Sequence, residues 1–391
     1  MSRYADFQIL REQDVSYLDH AASSLTPDCV LDAVTGYYQK YRSNVNRGVY
    51  RWSADATIAY ENARLQVASF IGADASEVVF TSGATEAINL AAYSIVKHML
   101  TPGQVILLSR FEHHANLIPW QRLAKGKNCQ IAYIPINDDF EVDWEGFKKQ
   151  LATLPVALIA ITHASNVLGL KHDIRKFSSF GVPVLVDGTQ MVSHESVDVK
   201  ALGCGFYVWS AHKMYGPTGI GALYVDTRYH HLMQPHYTGG GIVDEVTYDH
   251  ATFQQGLVAL EPGTPNIAGA IGFGRACQYI NQIGFDHIMA HEQRLWQYFL
   301  EQVKPLGLQS YGPSQHMVYS FGYPGVHAHD VATILSDNHV MVRAGHHCCM
   351  PLMSYLDVHA LTRVSLGIYN QERDVERFVS GIKTIKQVMG Q

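Results

Sequence analysis

The chain has 391 residues, enough for one large domain with a smaller one, or for two of similar size. Hydrophobic residues make up 47% and charged residues only 16%, with a net charge of −6 and no basic cluster; this argues against a disordered chain and against a nucleic-acid partner held by its phosphates. No apolar run approaches membrane-spanning length, the start Met1-Ser2-Arg3-Tyr4-Ala5-Asp6 lacks an apolar signal core, and the six scattered cysteines show no CxxC pair, so reduced thiols and a cytoplasmic location are expected.

Residues 1–14 read as a short helical arm. An extended piece over 17–24 runs into a small-residue turn, and Pro27 opens a helix to about residue 41. A polar loop over 43–51, with Asn46, Arg47 and Gly48, precedes a helix over about 55–71. From Glu77 onward strands and helices alternate, which predicts a mostly parallel sheet covered by helices. The predicted strands are 78–81, 104–109, 130–135, 156–162, 182–187, 206–209 and 220–225, and the predicted helices include 84–99 and 116–125. Strands 156–162 and 182–187 are near-continuous apolar runs, as burial on both faces requires. A long helix from about 267 leads into a part with a different rhythm, with strands over 311–321 and 340–343 and helices over 330–337 and 374–389. The boundary is placed near 280, giving a large domain of residues 15–280 and a small one of 281–391, with the arm 1–14 packed on the latter.

Lys213 is poorly explained by packing. It follows a buried strand, with Ser210 and His212 beside it and Gly216 behind, and lysine is seldom tolerated in such a place without a task. A desolvated amine forms a Schiff base with a carbonyl cofactor such as pyridoxal phosphate; a surface lysine just past a strand end is the competing reading of the lysine taken alone. Asp187 ends another buried strand at the sheet edge where α/β proteins bind ligands, and would keep a pyridine nitrogen protonated. Ser82-Gly83-Ala84-Thr85 opens a helix whose free N–H groups suit a phosphate dianion, although ordinary capping gives the same pattern. Ser210 and His212 are placed to complete that cup, and Thr264 is another small hydroxyl in a glycine loop. His113, between a strand and a helix, is suited to stack on a flat ring and to exchange protons near neutral pH. In Arg343-Ala344-Gly345-His346-His347-Cys348-Cys349 the adjacent histidines and cysteines lack zinc-site spacing, so no metal is expected. A reactive thiolate, its pKa lowered by Arg343 and the histidines, fits better.

Together these residues resemble the cysteine desulfurases, specifically the group II enzymes of the Suf and Csd type within the class V aminotransferase family. The likeness runs in order through Tyr-Leu-Asp-His-Ala-Ala (17–22), Gly-Ala-Thr-Glu (83–86), Glu-His-His-Ala-Asn-Leu-Ile-Pro-Trp (112–120) and Ser-Asn-Val-Leu-Gly (165–169). It continues through Val-Asp-Gly-Thr-Gln (186–190), His-Lys-Met-Tyr-Gly-Pro-Thr-Gly-Ile-Gly (212–221), Gly-Thr-Pro-Asn (263–266) and Arg-Ala-Gly-His-His-Cys (343–348). The resemblance implies an α/β fold of the type I pyridoxal-phosphate transferases, with a mostly parallel central sheet and a smaller α/β C-terminal domain. It implies that Lys213 carries the cofactor, Asp187 pairs with its ring nitrogen, His113 stacks on the ring and Gln190 bonds its phenolic oxygen. Ala84, Thr85, Ser210 and His212 would hold the phosphate, with Thr264 reaching in from the other subunit of a homodimer. Asn166, Arg343 and Arg363 would bind the substrate, and Cys348 would take sulfur from L-cysteine as a persulfide, leaving alanine. The family passes that sulfur to an acceptor, often a SufE-like protein, and selenocysteine or cysteine sulfinate are further candidate substrates. Asn46 beside Arg47 stands where the family commonly has His. Cys349 replaces a usual alanine and offers Cys348 a strained disulfide partner. Thr189 and Ala211 replace a usual Ala and Gly. The alternatives are a kynureninase-like lyase or an epimerase, which need no thiol at 348, and a non-catalytic sulfur carrier, which needs no Lys213, Asp187 and His113.

Overall fold

The computed structural model describes residues 2–46 and 48–388, so Arg47 and the end of the helix expected to reach Met389 lie outside the described residues. The central sheet has seven strands: β2 (Val78–Thr81), β3 (Val105–Leu108), β4 (Gln130–Tyr133), β5 (Val156–Thr162), β6 (Val184–Asp187), β7 (Phe206–Ser210) and β8 (Gly221–Val225). They are ordered β2-β8-β7-β6-β5-β3-β4, after a short N-terminal β1 (Ser16–Tyr17). All neighbours pair in parallel except β8, which is antiparallel to both β2 and β7. The strand period of two sends alternate residues of one strand into different cores. On one face Ile159, Ile161, Val184, Val186, Tyr207 and Trp209 meet the helices Arg51–Phe70 and Ile267–Ile283. On the other, Leu158, Ala160, Leu185, Phe206 and Val208 meet the helix Ala84–Ala91 and Trp120. Each such buried side chain contributes about 1.5–3 kcal/mol.

The helix expected over 84–99 is not uniform. It is α-helical at Ala84–Ala91, widens into a π turn at Ala92–Val96 and ends as α at Lys97–Met99. The helix Ile267–Ile283 runs through position 280 and breaks at Gly284, and Phe285–Val303 follows. After the exposed hairpin β9 (Val243–Val246) and β10 (Ala251–Phe253), the C-terminal part forms a second sheet. Its strands are β11 (Gln309–Tyr311), β12 (Val318–Gly322), β14 (Arg343–Gly345) and β15 (Leu361–Ser365), in the order β11-β12-β15-β14, with β13 (Val340–Met341) alongside.

The single strand expected over 311–321 is therefore two antiparallel strands. Gly312, Ser314 and Met317 all take positive φ between them (80°, 49° and 45°), which turns the chain back. This sheet packs on Leu295, Trp296, Phe299, Phe378, Ile382 and Ile385 as a core of its own.

Three features tie the parts together. β1 pairs in parallel with β13, and Asp19 continues that line by bridging to Ser365 at the end of β15. Phe7 of the N-terminal arm packs against Tyr215, Tyr279 and Tyr369. A small cluster of Phe111, Val167, Leu168, Cys349, Leu352 and Leu361 fills the seam between the sheets. Among the described residues, no helix is long and apolar enough to cross a membrane.

Candidate active site

The C-terminal ends of β2, β3, β5, β6 and β7 lie on one edge of the central sheet, where the loops of an open α/β sheet leave a crevice. Each expected residue of the large part except Thr264 enters from one of these ends. Asp187 is the last residue of β6, buried at 6% exposure, and its Oδ1 accepts the backbone N–H of Thr189 at 3.0 Å. Burial raises its pKa, while the Thr189 donors and the nearby Lys213 charge act to keep it ionised. Lys213 closes the single tight turn Ala211–Lys213 after β7. Its amine makes no hydrogen bond or ion pair among the described residues. Desolvation lowers its pKa to about 8, opposed by Asp187 and Cys348 and assisted by Arg363 and Arg343. Near pH 8 such an amine is half uncharged, a state that a solvated lysine does not reach.

Between β2 and the helix Ala84–Ala91, the chain is drawn tight against β7. Ser210 Oγ accepts the N–H of Ala84 at 2.8 Å. A Cβ on Gly221 would stand 2.6 Å from both the Cα of Gly83 and the carbonyl oxygen of Trp209, so glycine alone permits the approach. The amides of Thr85 and Glu86 make no backbone hydrogen bond among the described residues and point out of the helix start, the position where an anion is stabilised. His212 reaches Ser23 Oγ at 3.2 Å, and burial lowers its pKa to about 4.

His113 caps the short turn His114–Asn116, its Nδ1 accepting from Ala115 N at 3.1 Å. Burial first, then the charges of Lys213 and its neighbours, lower its pKa to about 3. The uncharged ring is therefore the favoured state in this cofactor-free site. Gln190 donates through Nε2 to the carbonyl of Ala21 at 2.8 Å.

The C-terminal part supplies the rest. Arg363, on β15, is 1% exposed and donates to Asp19 Oδ1 and to the carbonyl of Asn166, both at 2.9 Å, while its buried Nε has no hydrogen-bond partner among the described residues. Asn166 in turn donates to the carbonyl of His347 at 2.9 Å. Arg343, on β14, acts electrostatically on both Lys213 and Arg363. His347 and Cys348 are consecutive residues at φ 50° and 55°, a left-handed setting that costs on the order of 1–2 kcal/mol each. Cys348 is partly exposed, and its carbonyl accepts the N–H of His114 at 2.7 Å. Burial and Arg363 lower the pKa of His347 to about 3. Cys349 is fully buried, its thiol directed at the carbonyls of Glu112 (3.0 Å) and Phe111 (3.5 Å).

Thr264 stands outside this group. It is exposed and lines a cavity of about 530 Å³ with Asn44, Asn46, Arg64 and Glu261. Two supporting residues escaped the sequence reading. Glu112 is buried and bonded to Ser109 Oγ, Asn116 Nδ2 (2.6 Å) and Thr162 N (2.9 Å), with a pKa raised by burial to about 8. His114 grips the cysteine loop. Only the adjacency of Glu112 and His114 to His113 could have drawn attention to either.

An unpaired amine of lowered pKa, a buried carboxylate, a flat neutral imidazole and an open helix start form a donor set that fits pyridoxal 5'-phosphate. Residues 16–378 match the Aminotransferase class-V family. A cysteine desulfurase of Salmonella agona (strain SL483) is 41% identical over 401 aligned positions, covering 99% of this chain and 98% of its own. The apo structure of a cysteine desulfurase from Thermococcus onnurineus NA1 superposes with a TM-score of 0.93 at 38% identity, over 97% of this chain and 96% of that one. The Escherichia coli cysteine desulfurase CsdA, solved with an S-sulfonic acid, gives 0.91 at 34% identity over 98% of each chain. The chain thus belongs to the aminotransferase class-V family and, within it, to the cysteine desulfurases.

Proposed function

We propose that the chain takes sulfur from L-cysteine onto Cys348 as a persulfide, releases L-alanine and passes the sulfur to a SufE-like acceptor protein. The observation that carries this is the docking of the Cys348 loop against the edge holding Lys213 and Asp187, through the 2.7 Å bond from His114 N to the Cys348 carbonyl. Lys213 would hold pyridoxal phosphate, with Asp187 at its ring nitrogen, His113 on its face and Gln190 at its phenolic oxygen. Ala84, Thr85, Ser210 and His212 would hold its phosphate. When bound, the cofactor supplies an electron sink that makes the Cα proton of the amino acid removable.

The rest falls to the protein. Arg363, with Asn166 and Arg343, orients the substrate carboxylate through charge-assisted bonds. The Lys213 amine, its pKa lowered by burial, takes and returns a proton at Nζ. The Cys348 sulfur bonds to the substrate sulfur as the Cβ–S bond breaks, and the electron pair of that bond stays on the carbon skeleton, which is protonated to alanine.

Separate cores support a division into a cofactor-holding part, residues 15–280, and a C-terminal part, residues 281–391; of the arm 1–14, Phe7 and Leu10 belong to the larger core. A homodimer is part of the proposal. Thr264 is exposed and lines a cavity away from Lys213 and Asp187, and Tyr50, Trp52 and Ile58 at and near the start of the helix Arg51–Phe70 are exposed apolar side chains. A cytoplasmic location and a role in iron–sulfur cluster assembly complete it.

The test is alanine release from L-cysteine, with and without reductant, by the wild type and Cys348→Ala. Alanine that vanishes in the variant is the expected result. Equal release from both moves the nucleophile elsewhere, and none from a pyridoxal-phosphate-loaded wild type overturns the proposal.

A further inference from the structure

The left-handed pair His347–Cys348 persists only where its surroundings over-determine it. Three of the bonds that do so come from different elements. Asn166 Nδ2 donates to the His347 carbonyl at 2.9 Å, the His347 ring reaches the carbonyl of Leu361 at 3.0 Å, and the Cys349 thiol meets the Glu112 carbonyl at 3.0 Å. Two more come from one residue. His114 donates its backbone N–H to the Cys348 carbonyl at 2.7 Å, and its Nε2 accepts the backbone N–H of Met350 at 3.0 Å. It thus grips the chain at the nucleophile and again two residues beyond it. The second grip requires a free lone pair on Nε2, which only the neutral ring has.

We propose that His114 is a positioning residue for sulfur transfer: its unprotonated Nε2 holds Met350, and through it the Cys348 loop, and protonation of the ring releases that hold. The proposal rests on the desulfurase reading above and adds a residue that touches neither cofactor nor substrate. The groups facing the ring come from two elements. On its own turn stand His113, neutral, with its ring centroid 6.3 Å away, and Glu112, which bonds to Ser109, Asn116 and Thr162. On the loop stand His346 and Cys348. Burial and His346 hold the His114 pKa below its ordinary value, so release falls on the acid side of neutrality.

The experiment compares wild type, His114→Gln and His114→Ala as pyridoxal-phosphate holoenzymes. Single-turnover persulfide formation on Cys348 is followed by mass spectrometry across pH, and hydrogen exchange over residues 345–350 is measured without substrate. Losing one such bond predicts persulfide formation about tenfold slower in His114→Ala at pH ~8, with faster exchange in the loop and unchanged cofactor absorbance. In His114→Gln the amide oxygen can accept from Met350 without titrating. That variant is expected to recover most of the rate and to lack the wild type's acid limb. A wild-type rate in His114→Ala, or the same acid limb in His114→Gln, would overturn the proposal. If His114→Ala does not fold, wild type against His114→Gln decides alone. Absence of persulfide in the wild type itself removes the desulfurase reading, and this proposal with it.

Discussion

At the scale of single residues, the site is a set of groups whose ordinary charges have been changed by burial. Lys213 is pulled toward neutrality and His113 is held neutral, while Glu112 is pushed up to about 8. Glu112 has a consequence for stability. A carboxyl whose folded pKa lies above its ordinary 4.5 binds more protons folded than unfolded between those values, so its contribution to stability declines as pH rises from about 4.5 to 8. Chemical denaturation of wild type and Glu112→Gln at several pH values should therefore show the wild type's advantage shrinking as pH rises through that window. A constant difference would mean that the carboxyl is ionised throughout. Cys349 gives a second test at this scale. With its thiol engaged by two carbonyls, Cys349→Ala should leave the persulfide on Cys348 and cost about 1 kcal/mol of stability. A Cys348–Cys349 disulfide in the turning-over wild type would contradict the geometry.

At the scale of elements, the close approach of the β2 turn to β7 and β8 is the construction on which the anion site depends. Gly221→Ala would drive a methyl to within 2.6 Å of Gly83 and of the Trp209 carbonyl, and neither is the end of a flexible side chain. The expected cost is about 1–3 kcal/mol in thermal unfolding, together with weaker retention of pyridoxal phosphate on dialysis. The strands at this edge were legible because burial on both faces writes an apolar run that packing alone can read: 78–81 and 156–162 appear in the structure as expected. Other elements were less legible. The helix Trp144–Thr153 buries only Phe147, too thin a stripe to announce itself. The turn that divides β11 from β12 carries a local mark in Gly312-Pro313, and the positive φ at Ser314 and Met317 extends it through residues that carry none. The chemistry of Lys213, Asp187 and Cys348 was suggested by placement and then by resemblance. The pKa directions could not be read, since they come from burial by segments far away in the chain.

At the scale of the whole molecule, the Glu261–Arg64 pair fixes the loop that carries Thr264. Arg64 donates to the two Glu261 oxygens at 2.7 and 2.8 Å, and Phe80 N adds a third bond at 2.6 Å. Arg64→Ala leaves a half-buried carboxylate short of its partner, at an expected cost of about 2–3 kcal/mol. If Thr264 serves the site of a second copy, the same variant should also bind pyridoxal phosphate more weakly at every protein concentration. Unchanged affinity would separate the loop from the cofactor.

The pairing of Asp19 with Arg363 and Ser365 has a consequence in time. Asp19, which continues the line of β1, leaves the ribosome 344 residues ahead of Arg363 on β15, its partner in space. The edge carrying Lys213 and Asp187 is complete in sequence well before that. A nascent chain can therefore possess its amine and carboxylate while Arg363, the arginine proposed to receive the substrate, and the strand that carries it are still unmade. The capacity to hold a cofactor would precede the capacity to use it, and the two would be joined only once β15 has followed.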